Sequence, residues 1–269
     1  MAGSANLNLM IQAARKAARR LVRDFGEVEQ LQVSIKGIGD FASRADRQAE
    51  DTIREILMEA RPNYGWLGEE TGEGKGKDPT RRWIVDPLDG TTNFLHGLPH
   101  WAISIALEHK GDMVAGVIYD PVKHEMFTAE AGQGAWLNDR RLRVSARRDL
   151  STMLFGTGLP FGGRRGLPEM LGELGRMMPR TAGVRRWGTA SLDLAYVAAG
   201  RFDGFWERAL KPWDVAAGMI LVREAGGLVG TIGETAETQD PLPSGDIIAA
   251  APGAYGHLSR LLAPATAGS

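Results

Sequence analysis

The segment that most constrains the fold of this chain is residues 83–94, WIVDPLDGTTNF, where an apolar run passes directly into acids, a turn and hydroxyls. Its first residues predict a buried strand, and Pro87 ends that strand because proline has no N–H for a ladder hydrogen bond. Asp86 and Asp89 then project into the same space, with the carbonyl of Leu88 between them. The segment therefore predicts a strand whose end carries a set of oxygen ligands.

The chemistry of this segment favours a hard divalent cation beside a phosphate. Carboxylate and carbonyl oxygens suit Mg²⁺ better than Zn²⁺, and neither His nor Cys occurs within the cluster. If Thr91 opens a helical turn, the amides of Gly90 and Thr91 point outward and can receive a phosphate oxygen. The alternative is a polar turn without a ligand, in which the acids only cap a helix.

Other acids follow predicted strands or begin predicted helices. Glu69 and Glu70 come after a short strand and precede a glycine-rich, charged segment, residues 71–79, predicted to be an exposed loop. Asp214 lies at a helix start just after a proline, and Glu207 ends a strand. Each has an ordinary structural explanation: a surface glutamate, an N-cap, or a residue on the rim of a sheet. Taken singly, these acids do not predict a site.

The order of the predicted elements divides the chain into an α+β half and an α/β half. Three closely spaced strands form an antiparallel meander, and strands and helices alternate from about residue 150. We predict a lobe of residues 1–145 with the antiparallel sheet and the metal motif, and a lobe of residues 146–269 that completes the active site. The predicted strands are 32–35, 64–67, 83–86, 102–109, 113–119, 125–129, 152–156, 202–207 and 246–251. The predicted helices are one that ends at residue 25 and those at 43–60, 167–178, 215–225 and 254–262. A loop is predicted at 36–40 and a further element at 190–199.

Composition excludes several classes of protein. Thirty-two basic and 33 acidic residues give a net charge of −1, so nothing indicates a bulk footprint for nucleic acid or an anionic membrane. No run reaches the roughly 18 apolar residues of a membrane span. The absence of cysteine excludes disulfides and thiolate chemistry and fits a cytoplasmic protein. The basic first helix is predicted to be an ordinary surface helix.

Together the motifs resemble the inositol monophosphatase family, in its bacterial extragenic-suppressor branch. The resemblance rests on residues 68–70 (GEE), 83–96, 186–190 (RWGTA) and 213–227, where WDVAAG runs on to EAGG, in the family's order and approximate spacing. It implies a layered α-β-α-β-α sandwich of the inositol monophosphatase and fructose-bisphosphatase superfamily, usually a homodimer. It also implies hydrolysis of phosphate monoesters with two or three Mg²⁺ ions, and inhibition by Li⁺.

The resemblance further implies roles for individual residues. The metal ligands are Glu69, Asp86, the Leu88 carbonyl, Asp89 and Asp214. Thr91 and Glu69 activate the attacking water, supported by Asp46, although Ser43 replaces the threonine usual in that part of the family motif. The residues at the substrate are Lys36, Asp89, Gly90, Thr91, Gly188, Thr189, Ala190, Glu207 and Asp214.

The main functional prediction is Mg²⁺-dependent hydrolysis of a small polyol phosphate, most simply myo-inositol monophosphate, by in-line attack of an activated water. One alternative keeps the site and changes the substrate to 3′-phosphoadenosine 5′-phosphate, histidinol phosphate or fructose 1,6-bisphosphate. Another is an interaction protein, because relatives in this branch associate with the transcription antitermination machinery. The basic first helix and a group of arginines would serve such contacts: Arg140, Arg141, Arg143, Arg147 and Arg148.

Overall fold

The computed structural model describes residues 3–31, 38–160, 166–233 and 241–263. The helices are α1 (Ala5–Leu31), α2 (Ile38–Ala60), α3 (Thr91–Leu95), α4 (Leu167–Met177), α5 (Ala190–Ala198), α6 (Pro212–Glu224) and α7 (Pro252–Leu262). The strands are β1 (Gly65–Gly68), β2 (Gly72–Gly74), β3 (Arg81–Asp89), β4 (Ala102–His109), β5 (Asp112–Asp120), β6 (Glu125–Glu130), β7 (Gly134–Leu137), β8 (Arg140–Arg141), β9 (Leu154–Thr157), β10 (Gly183–Arg185), β11 (Gly204–Glu207), β12 (Leu228–Thr231) and β13 (Ile247–Ala250).

These strands form two sheets. The first has eight strands in the order β2-β1-β3-β4-β5-β6-β7-β8, antiparallel except where β1 lies parallel to β3. The second has five strands in the order β10-β9-β11-β13-β12, in which β9 runs parallel to both of its neighbours. The predicted meander is confirmed, since β4, β5 and β6 pair in sequence as antiparallel strands.

The helices fill three layers around these sheets. One core holds apolar residues of α1 and α2 together with one face of the first sheet, including Ile103 and Ile105 of β4. A second core holds α5 and α6 between the two sheets, and a third holds α4 and α7 against the outer face of the second sheet. The arrangement is the predicted α-β-α-β-α sandwich. Among the described helices, none is both long and apolar enough to cross a membrane.

The small residues on one face of β4 let a helix pack close to the first sheet. Ala102 and Ala106 of β4 face α6 in the central layer. The approach is so close that a Cβ atom on Gly116 of β5 would lie 2.9 Å from the backbone oxygen of Ala217. A side chain at this position would have to push the helix off the sheet, so small residues set the spacing of these two layers.

Several sequence predictions need correction. Helix α2 begins at Ile38, so the loop prediction is wrong for residues 38–40, and the predicted strand at 32–35 lies outside the described residues. Residues 72–74 of the predicted 71–79 loop form β2, which extends the sheet beside β1. The short strands β7, β8, β10 and β12 carried no pattern strong enough to predict. The division into lobes at residue 145 stays a prediction.

Candidate active site

The motif at the end of β3 folds into a strand, a bulge and a short helix. The register between β3 and β4 shifts between Asp86, which pairs with Ser104, and Asp89, which pairs with Ala102, so β3 carries one extra residue between the two acids. The Asp86 carboxylate accepts a hydrogen bond from the Leu88 amide at 3.0 Å, and the Thr91 hydroxyl donates to the Leu88 carbonyl at 3.0 Å. Thr91 begins α3, as predicted. The turn therefore holds both acids and the carbonyl between them at one corner.

Gly90 is required at this corner for two reasons. Its φ of 93° lies in the left-handed region, where side chains other than glycine are strained. A Cβ atom there would also lie 2.6 Å from the Thr189 hydroxyl and 3.1 Å from the His100 carbonyl. The backbone of the acid motif thus lies directly against the residues predicted to contact the substrate.

Four acids from distant parts of the chain influence one another at this corner. The Glu69 amide donates to the Val85 carbonyl at 3.2 Å, which sets Glu69 beside β3, and its carboxyl hydrogen-bonds with that of Asp86. The charge of Asp214 acts on Glu69 and on Asp89. The structure therefore brings together the side chains of Glu69, Asp86, Asp89 and Asp214.

The crowding of these acids raises their pKa values. Glu69 is exposed over part of its surface, but burial of its carboxyl and the nearby Asp214 raise its pKa to about 7. Burial, then the charge of Asp214, raises the pKa of Asp89 to about 7. Burial raises the pKa of Asp86 well above its usual value, reinforced by Glu69 and Asp89. Without a cation the fully ionised cluster is unfavourable, and a bound cation would relieve that repulsion.

The carboxylates are held by backbone amides as well as by one another. The Ser191 amide, at the start of α5, donates to Asp89 at 2.7 Å. The Lys211 amide donates to Asp214 at 2.7 Å. Asp214 therefore also stabilises the N-terminus of α6, as the third residue of a capping box. Within the described ranges, no three acidic or histidine side chains are already arranged around one point as the ligand set of a metal ion. The assignment of metal ligands therefore stays a prediction.

The donor set nevertheless fits a hard cation. All the acids at the corner offer oxygen, which Mg²⁺ prefers. Asp46, on α2, lies buried with its Oδ1 lacking a hydrogen-bond partner, and burial followed by the charges of Glu70, Glu69 and Glu50 raises its pKa to about 8. A buried carboxylate oxygen without a donor is suited to a cation or an ordered water. Lys36, the other predicted outer residue, lies outside the described residues.

The turn predicted to hold substrate hydroxyls is joined directly to the acid motif. Gly188 has a φ of 78°, and Thr189 precedes α5 as its N-cap. The Thr189 hydroxyl donates to the His100 carbonyl at 3.1 Å. Asn93 of α3 donates through its amide to the carbonyls of His100 and Trp187, each at 2.8 Å. Sequence reasoning missed Asn93, although its place within the DGTTN motif was a signal.

Glu207 lies at the end of β11, on the far side of this turn. Its carboxylate fills the space that a side chain on Gly158 would occupy, since a Cβ atom there would lie 1.9 Å from Glu207 Oε1. Asp193 of α5 is fully buried, and burial, then the charges of Glu207 and Asp89, raises its pKa well above its usual value. Asp193 therefore lies within electrostatic reach of both ends of the site. Neither Asp193 nor Ser191 was predicted to belong to the site. Ser191 contributes only its backbone amide, and no sequence motif marks Asp193, a buried residue within a helix.

The two histidines that follow the motif differ in their surroundings. His96 is exposed. His100 packs edge-on against Trp187, with 5.0 Å between ring centroids, and against Tyr196. Burial, then the nearby Lys123, lowers the pKa of His100 to about 4. His100 is therefore neutral at physiological pH, and its carbonyl accepts hydrogen bonds from Asn93 and Thr189.

Comparison with known proteins places this geometry in context. The sequence profile of the inositol monophosphatase family matches residues 5–267. The chain is 63% identical over 227 residues to a Rhizobium meliloti protein named inositol-1-monophosphatase, which covers 84% of this chain and 85% of that protein. It is 49% identical to a Pseudomonas aeruginosa protein named Nus factor SuhB, with 83% and 84% covered. The native crystal structure of the extragenic suppressor protein suhB from Bartonella henselae matches with a TM-score of 0.88 at 55% identity, covering 96% and 98% of the two chains.

Proposed function

The chain belongs to the inositol monophosphatase family and is a phosphoric monoester hydrolase, and from that premise we propose that its substrate is a small polyol phosphate, most simply myo-inositol monophosphate. The observation that supports this proposal is that acids from separate segments meet at one corner: the amide of Glu69 bonds to Val85 of β3, β3 carries Asp86 and Asp89 at its end, and Asp214 lies near enough to Asp89 to affect its charge. Such a cluster is unfavourable unless a cation neutralises it, and a phosphate ester supplies the opposing oxygens.

Proteins of this family are generally metal-dependent, and we assign two or three Mg²⁺ ions to the corner formed by β3 and α3. The proposed ligands are the carboxylates of Glu69, Asp86, Asp89 and Asp214, with the Leu88 carbonyl. When bound, Mg²⁺ would neutralise phosphate charge and lower the pKa of water, as in other phosphatases. The amides of Gly90 and Thr91 are assigned to the phosphate oxygens.

The protein's own residues would orient the reactants. The Thr91 hydroxyl already donates to the Leu88 carbonyl, so its proton is engaged and its oxygen would accept a hydrogen bond from the attacking water. Glu69 is assigned as the carboxylate that orients the attacking water and accepts its proton. Asp46, with its unpartnered oxygen behind Glu69, would accept a hydrogen bond from an ordered water.

The substrate's hydroxyls are assigned to the turn at residues 188–190 and to Glu207. Gly188, Thr189 and Ala190 bring the backbone close to the acid motif, and Glu207 supplies a carboxylate acceptor opposite it. A compact polyol suits this assignment, because a backbone turn and one carboxylate offer hydrogen-bonding groups for several hydroxyls within a short distance.

A panel of phosphate esters tests this function. Initial rates would be measured on inositol 1-phosphate, 3′-phosphoadenosine 5′-phosphate, histidinol phosphate and fructose 1,6-bisphosphate, each with and without Mg²⁺ and with added Li⁺. We expect inositol 1-phosphate to be hydrolysed with the highest kcat/KM, only with Mg²⁺, and Li⁺ to inhibit. Dominant hydrolysis of any other ester would overturn the substrate assignment.

A matched variant tests the metal assignment. Asp214→Asn removes one charge and keeps the side-chain volume, and the amide oxygen can still accept from Lys211. We expect Mg²⁺-dependent turnover to be abolished while the folded state persists. Turnover at the wild-type rate would contradict the assignment of Asp214.

We also propose that the protein is a cytoplasmic homodimer. We further propose that it has a second role in transcription, for which the support is a relative's name and a group of arginines. A relative at 49% identity is named Nus factor SuhB. The arginines at positions 140, 141, 143 and 148 are exposed, whereas Arg147 is paired with Asp203. Affinity capture with an inactive Asp89→Asn protein tests the role; recovery of RNA polymerase or ribosomal proteins supports it, and their absence counts against it.

A further inference from the structure

Glu50 is a fully buried acid on α2 that faces the loop carrying Glu69. It is 0% exposed, although charged residues are rarely buried without a partner. Its carboxylate accepts hydrogen bonds from the amides of Glu70 and Thr71, each at 2.9 Å, and from the Thr71 hydroxyl. All three donors belong to the residues that directly follow Glu69. The carboxylate therefore holds the backbone of the acid loop.

The other end of this loop is fixed against the same carboxylate. A Cβ atom on Gly68 would lie 2.5 Å from Glu50 Oε1, so the loop backbone and Glu50 are in direct contact there. The Trp66 indole donates to the Thr71 hydroxyl at 2.9 Å, which extends the network back into β1. Glu69 is thus the residue between two points, Gly68 and Glu70, that Glu50 holds in place.

Hydrogen bonds to a buried carboxylate are strong enough to set a loop conformation. Charge-assisted bonds are roughly twice as strong as neutral ones, and a buried charge that loses its donors is strongly unfavourable. Asp46 lies one helical turn before Glu50 on the same face of α2, so the helix that anchors the loop also presents the unpartnered oxygen behind Glu69. Helix α2 and the acid loop are therefore joined through the carboxylate of Glu50.

We propose that Glu50 is a positioning residue for the metal centre, which sets the direction of the Glu69 carboxylate through the backbone of residues 68–71. The role rests on the proposed function, because it assumes that Glu69 binds a cation. Partners of metal ligands typically change metal affinity or activity by about 10- to 100-fold when they are replaced. Glu50 is one step removed, since it acts on the backbone, so we expect the lower part of that range.

Two measurements on the metal-free and Mg²⁺-loaded protein test this role. In the metal-free protein, Glu50→Gln should speed hydrogen exchange of the Glu70 and Thr71 amides by about tenfold or more, because one acceptor oxygen is lost. By calorimetry, the variant should bind Mg²⁺ about tenfold more weakly, with KM for the phosphate ester changed less than the Mg²⁺ requirement.

Asp203→Asn provides a matched control. Asp203 is also 0% exposed and accepts a hydrogen bond from a backbone amide, that of Leu154 at 2.8 Å, but it lies just before β11 of the second sheet. Its replacement should lower stability without changing Mg²⁺ affinity or the exchange of residues 70 and 71. If Glu50→Gln does not fold, Thr71→Val removes one of the three hydrogen bonds and should weaken Mg²⁺ binding several-fold.

The outcomes separate the two hypotheses. A wild-type chain that binds no Mg²⁺ overturns the proposed function. A wild type that binds Mg²⁺, together with variants at Glu50 and Thr71 that match it in both exchange and affinity, overturns the positioning role alone. Equal loss of Mg²⁺ affinity in Asp203→Asn also overturns it, because the effect would then follow from general destabilisation.

Discussion

Replacing Asp89 by asparagine should separate the function of the acid cluster from its effect on stability. The substitution keeps the shape of the side chain and its hydrogen bond from the Ser191 amide, which can donate to an amide oxygen as it does to a carboxylate. It removes one negative charge from a site where Asp214 and Glu69 already raise the pKa of Asp89. We therefore expect the variant to lose Mg²⁺-dependent turnover and to gain stability when no metal is present.

The size of the gain follows from proton linkage. The pKa of Asp89 is raised from 3.8 to about 7, so the native state binds this proton more tightly than the unfolded chain does. Its contribution to stability is therefore complete below pH 3.8 and is lost as the pH rises to 7. At about 1.36 kcal/mol per pKa unit, the loss above pH 7 is at most about 4 kcal/mol. Because the side chain is only part-buried, we expect about 2 kcal/mol at pH 8 and about 1 kcal/mol at pH 5.

Urea denaturation in the presence of a chelator measures this difference. The unfolding free energies of wild type and Asp89→Asn would be compared at pH 8 and pH 5, followed by a repeat at pH 8 with saturating Mg²⁺. The excess stability of the variant should shrink at the lower pH and vanish or reverse with Mg²⁺, because the cation stabilises only the intact cluster. An Asp89→Asn protein that is less stable than wild type without metal at both pH values would refute the reasoning.

Three further results are expected. Gly158→Ala should displace the Glu207 carboxylate, since the new Cβ atom would lie 1.9 Å from its Oε1. We expect KM for inositol 1-phosphate to rise about tenfold while the half-saturating Mg²⁺ concentration stays unchanged. Steady-state kinetics, with Glu207→Ala measured for comparison, checks this. His100 should make the fold acid-sensitive, because its pKa is lowered from 6.5 to about 4. The stability contributed by its neutral form is therefore lost as the pH falls below 6.5. In urea titrations, the unfolding free energy of wild type should fall by about 1 to 2 kcal/mol more than that of His100→Gln between pH 7 and pH 5. Mg²⁺ should raise the melting temperature more at pH 8 than at pH 6, because raised carboxyl pKa values such as that of Glu69 make protons compete with the cation at the lower pH; equal shifts at both pH values would count against the ligand assignment.

Local sequence patterns predicted those parts of the fold that local chemistry determines. Strand β4 was predicted with its observed bounds, because apolar residues alternate with small ones and turns flank both ends. The predicted end of this strand at Pro87 was wrong, because β3 continues to Asp89 and absorbs the proline in a shift of register against β4. The start of α2 was placed too late, since glycine and an acid near its first turn indicate a loop as readily as a helix.

The missing parts of the site depend on contacts between distant segments. Glu50 has the sequence surroundings of a solvent-facing helix residue, yet it is buried and its carboxylate contacts Gly68 and the amides of Glu70 and Thr71, which are distant in sequence. Ser191 contributes a backbone amide to Asp89, so no property of its side chain marks the role. The fold class and the family could be predicted from motifs, whereas the ligand assignments and the two-lobe division stay predictions.

The position of α6 between the two sheets affects when the enzyme becomes active during its synthesis. Asp214 lies in the first turn of this helix, whose apolar side chains share one core with Ile84 of the first sheet and Ile247 of the second. After Asp89 has been incorporated, the ribosome must still synthesise the remaining segments of that core, which takes about 10 to 30 s at typical elongation rates. A nascent chain therefore carries its acid motif for many seconds before the fourth carboxylate is held in place. Premature termination anywhere before β13 should leave a polypeptide without hydrolase activity.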